Sequence, residues 1–401
     1  MTSEAYVWVW LPKATSPVVC GRLLDENGVI RFVYGRSYRD RAEAIPLDPH
    51  ALRLGPAPVS GPMPGRLPGA IADAAPDNWG RRVIEYRSNQ ARLSEIEYLL
   101  SGGGDRIGAL HFQPDPHCYQ PPKQSTATLS QILDAAAYVE SQAPLPEDLR
   151  LALEHGTSIG GARPKAAIRD EHGHWIAKFS SSQDRFSVVE SELATLSLAR
   201  LCGIDVPEHR LAHVDGKSIL LVRRFDRLTG HSGITRRLLL SALTLLQLDE
   251  TEARLASYPE LAEVLRRLSR RPQEDTVELY RRMVFNILIG NTDDHAKNHA
   301  CFWDGEWLEL TPAYDLLPTP RVGQEGRQAM DVGDAGKAST LSNARSQAGR
   351  FGLTVDQAEA VIADTCARMA DWKDMYEQAG VPPAEIDRLS QATIMSPVAL
   401  T

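Results

Sequence analysis

The chain has few cysteines, few lysines and no long apolar run. Its 401 residues include five cysteines, and none of the five lies near another. This spacing excludes the paired-cysteine zinc and redox motifs, and it is typical of a reduced cytosolic protein with free thiols. The most apolar stretch, Leu238–Leu248, is too short to span a bilayer, and the N-terminus lacks the basic and apolar regions of a signal peptide. We therefore expect a soluble, cytoplasmic protein without a membrane partner.

Positive charge is also limited, and arginine carries most of it. The chain has 44 basic and 52 acidic residues, which gives a net charge of −8. An acidic chain is a poor binder of the nucleic-acid backbone, so we expect any contact with DNA to come through a partner protein. Among the few lysines, Lys165, Lys178 and Lys297 lie in the motifs described below. Their selective use indicates sites that need a compact ammonium group.

The order of strand-forming and helix-forming segments predicts three regions. Residues 1–121 are rich in strand formers and end in a proline-rich linker. Residues 122–225 mix helix and strand, and residues 226–401 have mainly helical periodicity. The predicted elements are strands at Tyr6–Leu11 and Val29–Tyr34, a helix at Leu129–Gln142, a hairpin over Ala166–Phe179, a helix at Val188–Leu201, a strand at Ser218–Phe225, helices over 236–248, 259–268 and 275–289, a hairpin over Cys301–Leu310 and a helix begun by Thr354.

The strongest functional signal is the polar segment that follows the apolar helix predicted over 275–289. Asp293 and Asn298 lie five positions apart in it, and Asp315 follows after a short hairpin. This is the order of a phosphoryl-transfer site, in which an Asp positions the nucleophilic hydroxyl, an Asn ligates Mg²⁺ and a later Asp ligates the metal. Magnesium takes oxygen ligands from few protein groups, so Asn298 and Asp315 suffice.

Two further side chains of this segment belong to the same prediction. Lys297 is a candidate catalytic residue, and His295 either joins the site or braces the loop by hydrogen bonds to backbone carbonyls. The structural alternative is a polar surface loop with an unrelated Asp315 behind it. Four such polar residues directly after an apolar helix favour the catalytic interpretation.

A second signal is the glycine-rich segment that precedes the hairpin over Ala166–Phe179. Glycines let backbone N–H groups approach phosphate oxygens, although this segment fits neither common nucleotide-binding pattern and a plain connecting loop is the alternative. Lys178 closes the hairpin, and a strand lysine that faces phosphates needs a carboxylate to orient it. Glu192 on the next helix is the predicted partner, with Glu190 as the alternative. The nucleotide-binding prediction for the glycine-rich segment names Ser158, Ile159, Gly160, Gly161 and Lys165.

In this order, the motifs resemble those of the HipA family of serine/threonine kinases, the toxins of bacterial toxin–antitoxin pairs. The resemblance spans most of the chain, and it implies an α+β protein with a bilobal, kinase-like fold. It divides the chain into a β-rich N-terminal subdomain (1–121), an N-lobe (122–225) and an all-helical C-lobe (226–401). The matching segments are Leu67–Asp73, Pro76–Gly80, Ser158–Lys165, Ile176–Phe179, Leu221–Arg227, Asn291–Asn298 and Pro312–Leu316.

The resemblance also implies a role for each matching residue. It makes Asp293 the base-like residue, Asn298 and Asp315 the Mg²⁺ ligands, and Lys178 a contact of the α- and β-phosphates of ATP. The sequence departs from some family members at Asp294, where they have glycine. This departure concerns the conformation of the loop and leaves the expected chemistry unchanged.

Two more segments acquire roles only through the resemblance. Arg224, Phe225 and Asp226 would lie near the hinge that receives adenine. Ser158 falls where family members autophosphorylate, and Thr157 is the neighbouring alternative. A phosphate in a glycine-rich loop would bring negative charge to the place that receives ATP phosphates, so autophosphorylation is expected to inactivate the protein.

Two functions of different classes fit these features. One is an active kinase toxin that phosphorylates a protein hydroxyl, with a translation component such as an aminoacyl-tRNA synthetase as the expected substrate. A small HipB-like helix-turn-helix antitoxin would hold it silent and would carry any contact with operator DNA. The other is a non-catalytic ATP-binding co-repressor that acts through the same partner, and a small-molecule kinase is a third, weaker reading. The intact Asp293, Asn298 and Asp315 favour the active kinase.

Overall fold

The computed structural model describes residues 3–121, 127–150, 152–153, 161, 163–321, 323 and 325–401. Helices and strands both occur in these residues, so the predicted α+β class is confirmed. The chain forms two compact units. Unit 1 comprises Met1–Gln183, Leu211–Leu240 and Trp303–Glu306, and unit 2 comprises Asp184–Arg210, Ser241–Phe302 and Trp307–Thr401.

The strands concentrate in the first two thirds of the chain. In the described residues they are β1 (Glu4–Val9), β2 (Val18–Glu26), β3 (Val29–Tyr34), β4 (Val59–Ser60), β5 (Leu110–Gln113), β6 (Lys165–Asp170), β7 (Gly173–Phe179), β8 (His209–Val214), β9 (Lys217–Arg223), β10 (Arg227–Gly230), β11 (Gly233–Arg236), β12 (Leu238–Ser241), β13 (Ala300–Trp303) and β14 (Leu308–Leu310).

Helices occur along most of the chain, and the longest of those described, α9, lies in the second half. The described helices are α1 (Arg36–Arg39), α2 (Gly69–Ala72), α3 (Asn78–Ser88), α4 (Glu95–Ser101), α5 (Leu129–Ser141), α6 (Val188–Leu201), α7 (Ala242–Leu245), α8 (Tyr258–Leu268), α9 (Pro272–Ile289), α10 (Leu341–Ser346), α11 (Val355–Arg368), α12 (Trp372–Gln378) and α13 (Pro383–Ala392). Among the described residues, no helix combines the length and the apolar character that a membrane crossing requires.

Unit 1 contains an antiparallel sheet of five strands in the order β4-β3-β2-β1-β5. Its tightest connection joins β2 to β3 through Asn27 and Gly28, whose φ angles are 56° and 82°. Positive φ at both central residues suits Asn-Gly and matches the right-handed twist of a hairpin. The strand predicted at Val29–Tyr34 is confirmed with the same bounds.

A second sheet in unit 1 has the order β6-β7-β9-β8 and includes the predicted hairpin. Helices α3 and α5 cover it, because Trp79 and Val83 of α3 are buried in one apolar cluster with Trp175 and Phe179 of β7. This core contains residues from both sides of the division that the sequence predicts at 121/122. The exact domain boundaries stay a prediction, but burial ties the start of α3 firmly to the sheet.

Unit 2 is mainly helical and is built around the buried helix α9. The helix begins at a proline with Glu274 and Asp275 in its first turn, where negative charge is favourable. The predicted helix at Val188–Leu201 is confirmed as α6, and the capping box of Thr354 with Gln357 is confirmed at the start of α11.

The helix predicted over 236–248 is wrong. Leu238–Ser241 forms strand β12, and only Ala242–Leu245 forms a short helix. A brief run of leucines suits a buried strand as well as a helix, and tertiary context decides between them. Together with the hairpin of β10 and β11, this strand also makes the description of residues 226–401 as all-helical too simple.

Candidate active site

The candidate catalytic loop begins where α9 ends at Gly290. Gly290 has a φ of 67° and caps the helix in the left-handed conformation. A side chain at this position would place its Cβ 2.7 Å from the carbonyl oxygen of Thr393, so only glycine fits. The backbone N–H of Asn291 still donates to the carbonyl of Asn286 at 2.9 Å. The chain therefore leaves the helix in one fixed direction.

Asp294 braces this loop from the inside. Its side chain is buried, and its carboxylate is hydrogen-bonded to the hydroxyl of Tyr258 and, at 2.9 Å, to Nε2 of His299. The rings of Tyr258 and His299 meet edge to face with centroids 5.1 Å apart. Because its acceptor groups serve these partners, Asp294 has a structural role in the loop.

Asp293, its neighbour, is exposed. The backbone carbonyl of Asp293 accepts hydrogen bonds from the N–H of His295 at 2.9 Å and from Nδ2 of Asn298 at 3.2 Å. The amide of Asn298 thus donates through its nitrogen to the loop, and its oxygen is the atom that suits a hard cation. This local turn joins the two residues that the sequence assigned to hydroxyl positioning and metal binding.

Tyr314 connects the segment of Asp315 to the same loop. Its hydroxyl donates to the carbonyl of Lys297 at 2.7 Å, and Asp315 follows it directly in the chain. Asp315 is half-buried and has a φ of 59°, an uncommon conformation for a residue with a side chain. Aspartate adopts this conformation more readily than most residues, and the role of Asp315 as a metal ligand stays a prediction.

The remaining polar residues of the loop have different surroundings. The ammonium of Lys297 forms an ion pair with Glu250 at 2.6 Å. His295 contributes its backbone, whose carbonyl accepts from the N–H of Asn298 at 2.8 Å. Its Nδ1 is buried and has no hydrogen-bond partner among the described residues. His299 braces the loop through its hydrogen bond to Asp294, and the role of the His295 side chain stays a prediction.

The side-chain oxygens of Asn298 and Asp315 are donors of the kind that Mg²⁺ prefers. Among the described residues, no group of three or more His, Cys, Asp or Glu side chains is arranged to hold a metal ion. Magnesium does not require one, because it keeps several waters and takes one or two carboxylates besides the phosphates of its substrate. The amide oxygen of Asn298 and the carboxylate of Asp315 fit this type of site.

In unit 1, Lys165 and Lys178 are direct partners across the β6–β7 hairpin. Directly opposite residues of an antiparallel pair project from the same face of the sheet. Two of the three lysines selected from the sequence therefore project from one face at the end of the hairpin.

Arg224 and Asp226 form a buried ion pair. Nε and Nη2 of Arg224 donate to the two carboxylate oxygens of Asp226 at 3.0 and 2.8 Å, and Arg224 also pairs with Asp105 at 2.8 Å. The backbone N–H of Gly108 donates to Asp226 at 2.7 Å, and Arg227 pairs with it at 2.8 Å. This cluster fastens the loop before β5 to the segment that follows β9.

The charges in this cluster determine its protonation. Burial alone would raise the pKa of Asp226, but Arg224 and Arg227 outweigh it and hold that pKa well below its usual range. Burial opposes the charge of Arg224 as well, and Asp105 and Asp226 reverse this so that its pKa is raised. The side chains of Arg224 and Asp226 thus have a structural role that the sequence did not indicate. Adenine binding near Phe225, which is half-buried, stays a prediction.

Not all predicted residues can be placed. Ser158, Ile159 and Gly160, together with Thr157, lie outside the described residues. Glu192 is buried on α6 and Glu190 is half-buried on the same helix, so burial favours Glu192 as an oriented carboxylate. Its pairing with Lys178 stays a prediction.

Sequence reasoning missed the residues that hold the site together. The structure adds Tyr258, His299 and Tyr314 around the catalytic loop, and Asp77 and Trp79 at the end of the glycine-rich segment. Three of them carried a signal without an assigned role, since Asp77 and Trp79 lie in Pro76–Gly80 and Tyr314 lies in Pro312–Leu316, two segments that contributed to the family resemblance.

Comparison with known families gives two matches that together span most of the chain. The HipA N-terminal domain matches residues 9–113, and the HipA-like C-terminal domain matches residues 157–373. Y4mE of Sinorhizobium fredii, which is named as a candidate kinase, is 27% identical over 315 residues. The alignment covers 74% of this chain and 73% of Y4mE.

A sequence and a solved structure from Shewanella oneidensis extend this comparison. Its serine/threonine-protein kinase toxin HipA is 26% identical over 146 residues, which cover 32% of this chain and 34% of the toxin. A chain in the solved complex of HipA, HipB and operator DNA superposes with a TM-score of 0.71 and 18% identity. That superposition covers 97% of this chain and 94% of the other, so the two share a fold.

Proposed function

Since this chain belongs to the HipA family of kinases, we propose that it is an ATP-dependent serine/threonine protein kinase of the toxin type. The observation that carries the proposal is the division of labour between neighbouring acids in the catalytic loop. Asp294 is buried and holds the loop, whereas Asp293 is exposed beside the oriented amide of Asn298. A merely polar surface loop does not require this arrangement.

Each residue of the site has a chemical task in this proposal. The carboxylate of Asp293 accepts a hydrogen bond from the substrate hydroxyl and aligns its oxygen with the γ-phosphate of ATP. Asn298 and Asp315 would hold Mg²⁺, which when bound neutralises negative charge on the phosphates. Lys178 and Lys165 bind phosphate oxygens, and Lys297 offers a third ammonium beside the hydroxyl.

Regulation and partners follow from the family. We propose that Ser158, or Thr157 beside it, is autophosphorylated, and that the added ~1.5 to 2 negative charges repel the phosphates of ATP. The homologous fold in the complex of HipA with HipB supports a HipB-like helix-turn-helix antitoxin as the partner. Operator DNA would be bound only through that antitoxin, and the substrate would be a translation component such as an aminoacyl-tRNA synthetase.

The test is the transfer of labelled phosphate from ATP by the purified chain with Mg²⁺, measured together with ATP binding. The wild type is expected to label itself or an added bacterial extract. Asp293→Asn should bind ATP and lose transfer, while Asp315→Ala should also lose Mg²⁺-dependent binding. Asp356→Asn, which changes an exposed acid in the first turn of α11, is the matched control and should behave like the wild type.

The outcomes separate the two classes of function. Transfer by Asp293→Asn at the wild-type rate would show that this carboxylate is not catalytic. A wild type that binds ATP with Mg²⁺ but labels no protein in extract, itself included, would instead identify a nucleotide-binding co-repressor.

A further inference from the structure

The start of helix α3 holds the C-terminal end of the glycine-rich segment. The backbone N–H of Gly161 donates to the carboxylate of Asp77 at 2.9 Å, and the backbone N–H of Trp79 donates to the carbonyl of Gly161 at 3.0 Å. Both polar groups of the Gly161 backbone are therefore bound by residues that lie more than 80 positions earlier in the chain.

The same helix also fixes the beginning of β6. The indole Nε1 of Trp79 donates to the carbonyl of Lys165 at 3.1 Å, in a buried contact. Trp79 itself is buried in the apolar cluster that includes Trp175 and Phe179 of β7. The position of the start of α3 is therefore fixed by its packing against the sheet.

Gly161, which Asp77 and Trp79 bind, lies close to the ammonium of Lys165. Its φ is 103°, a conformation that side chains rarely adopt, and an added Cβ would lie 2.3 Å from Nζ of Lys165. The Nζ atom of Lys165 therefore lies next to the Gly161 backbone.

Asp77 is not needed as a helix cap. It occupies the N-cap position of α3, but its side chain makes no capping hydrogen bond to that helix. Its carboxylate instead accepts from Gly161. Removal of this carboxylate should therefore change the glycine-rich segment more than it changes the helix.

We propose that Asp77 and Trp79 are positioning residues for ATP, which fix Gly161 and Lys165 so that the phosphates meet a preformed site. This inference rests on the proposed function and extends it to the N-terminal region, to which the catalytic residues do not belong. In physical terms, an ordered loop end lowers the entropy cost of binding the nucleotide. Loss of the contacts made by Asp77 and Trp79 should therefore change the affinity for ATP more than the rate of phosphoryl transfer.

The experiment compares ATP affinity and turnover in variants of the full-length chain. Asp77→Ala should raise both KM and Kd for ATP by about tenfold, since hydrogen bonds to charged groups have effects of this order. Its kcat should change less than threefold. Asp77→Asn keeps an oxygen that accepts from the Gly161 N–H, and it should restore both constants to within about threefold of the wild type.

A matched control separates positioning from a general loss of stability. Ser94→Ala removes the capping box of α4, a different helix of the same unit. It should lower Tm without changing KM for ATP. If Asp77→Ala is unfolded, Trp79→Phe removes the bond to the Lys165 carbonyl and should raise KM by severalfold.

The results distinguish this inference from the proposed function. A wild type that binds no ATP would contradict both. A wild type that binds ATP and transfers phosphate, together with an Asp77→Ala variant of unchanged KM and Kd, would contradict only the positioning role of Asp77 and Trp79. Equal increases of KM and Kd in Asp77→Asn and Asp77→Ala would also overturn this role, because it depends on the oxygen that accepts from the Gly161 N–H.

Discussion

The catalytic loop and the cluster around Asp226 use acidic residues in opposite ways. In the loop, Asp294 is buried and hydrogen-bonded to Tyr258 and His299, whereas the neighbouring Asp293 is exposed. In the cluster, the carboxylate of Asp226 accepts from Arg224, Arg227 and a backbone N–H. One region thus presents a carboxylate, and the other uses its carboxylate to join segments.

The comparison shows that an acidic residue within a motif has no fixed role. Both regions contribute to the family resemblance, but burial and hydrogen-bond partners assign their acids different roles. A buried carboxylate with several donors contributes to stability, because removing it leaves those donors unsatisfied. An exposed carboxylate on a braced loop contributes little to stability and can act on a substrate. Substitutions of single acids in the two regions test this difference between buried and exposed carboxylates.

The largest expected effect on stability is that of Asp226→Asn. This change leaves the guanidinium groups of Arg224 and Arg227 buried beside a neutral side chain. Breaking a buried ion pair by removal of one partner costs about 3–5 kcal/mol. Urea denaturation at pH 7 should therefore show a free energy of unfolding lower by that amount. Asp40→Asn, which changes an exposed ion pair with Arg36, is the control and should have no measurable effect.

The second prediction compares two adjacent substitutions. Asp294→Asn weakens the hydrogen bonds to Tyr258 and His299, and it should lower the free energy of unfolding by about 2 kcal/mol. Asp293→Asn should leave stability unchanged and remove phosphoryl transfer. Thermal denaturation and the labelling assay, run on both variants, measure the two effects. The division is wrong if Asp293→Asn is the less stable variant of the two.

Local structure was largely readable from the sequence. The strand at Val29–Tyr34, the helix at Val188–Leu201 and the cap at Thr354 are confirmed, since each depends on residues close in the chain. The helix predicted over 236–248 failed because short apolar runs do not distinguish a strand from a helix. Local propensity thus predicted elements well wherever a turn or a cap marked their ends.

Local sequence patterns could not predict the long-range contacts that support the site. Arg224 meets Asp105 across 119 positions, and Asp77 meets Gly161 across 84. A single sequence contains no distance information over such separations. The motif spacing from Asp293 to Asp315 was readable because it follows the residue order of a phosphoryl-transfer site, but nothing in it showed which of the two adjacent acids is buried.

The third prediction concerns the free energy of unfolding at low pH. The pKa of Asp226 is lower in the folded chain than in the unfolded chain, so the unfolded chain binds more protons below about pH 4. The stabilisation is therefore fully present above that pH and is lost as pH falls toward the folded pKa. Urea denaturation at pH 5 and pH 3 should show a smaller loss in Asp226→Asn than in the wild type. An equal loss in both proteins would contradict the assigned role.

The smallest effect is expected at the ion pair of Lys297 with Glu250, whose side chains are 30% and 58% exposed. Exposed pairs contribute about 0–1 kcal/mol, so Glu250→Gln should change the free energy of unfolding by less than that. The variant is informative through its kinetics. If Lys297 acts on a phosphate, its ammonium must exchange Glu250 for that phosphate, and removal of the competing charge should lower KM for ATP by about twofold to threefold.

Glu274→Gln, which changes another exposed pair with Arg271, is the matched control and should leave KM unchanged. A stability loss above 2 kcal/mol in Glu250→Gln would place this pair with the structural cluster instead of the catalytic loop. An unchanged KM would mean that Glu250 does not compete for Lys297. In either case Asp293 would remain the exposed acid of the loop, because it is Asp294 that Tyr258 and His299 bind.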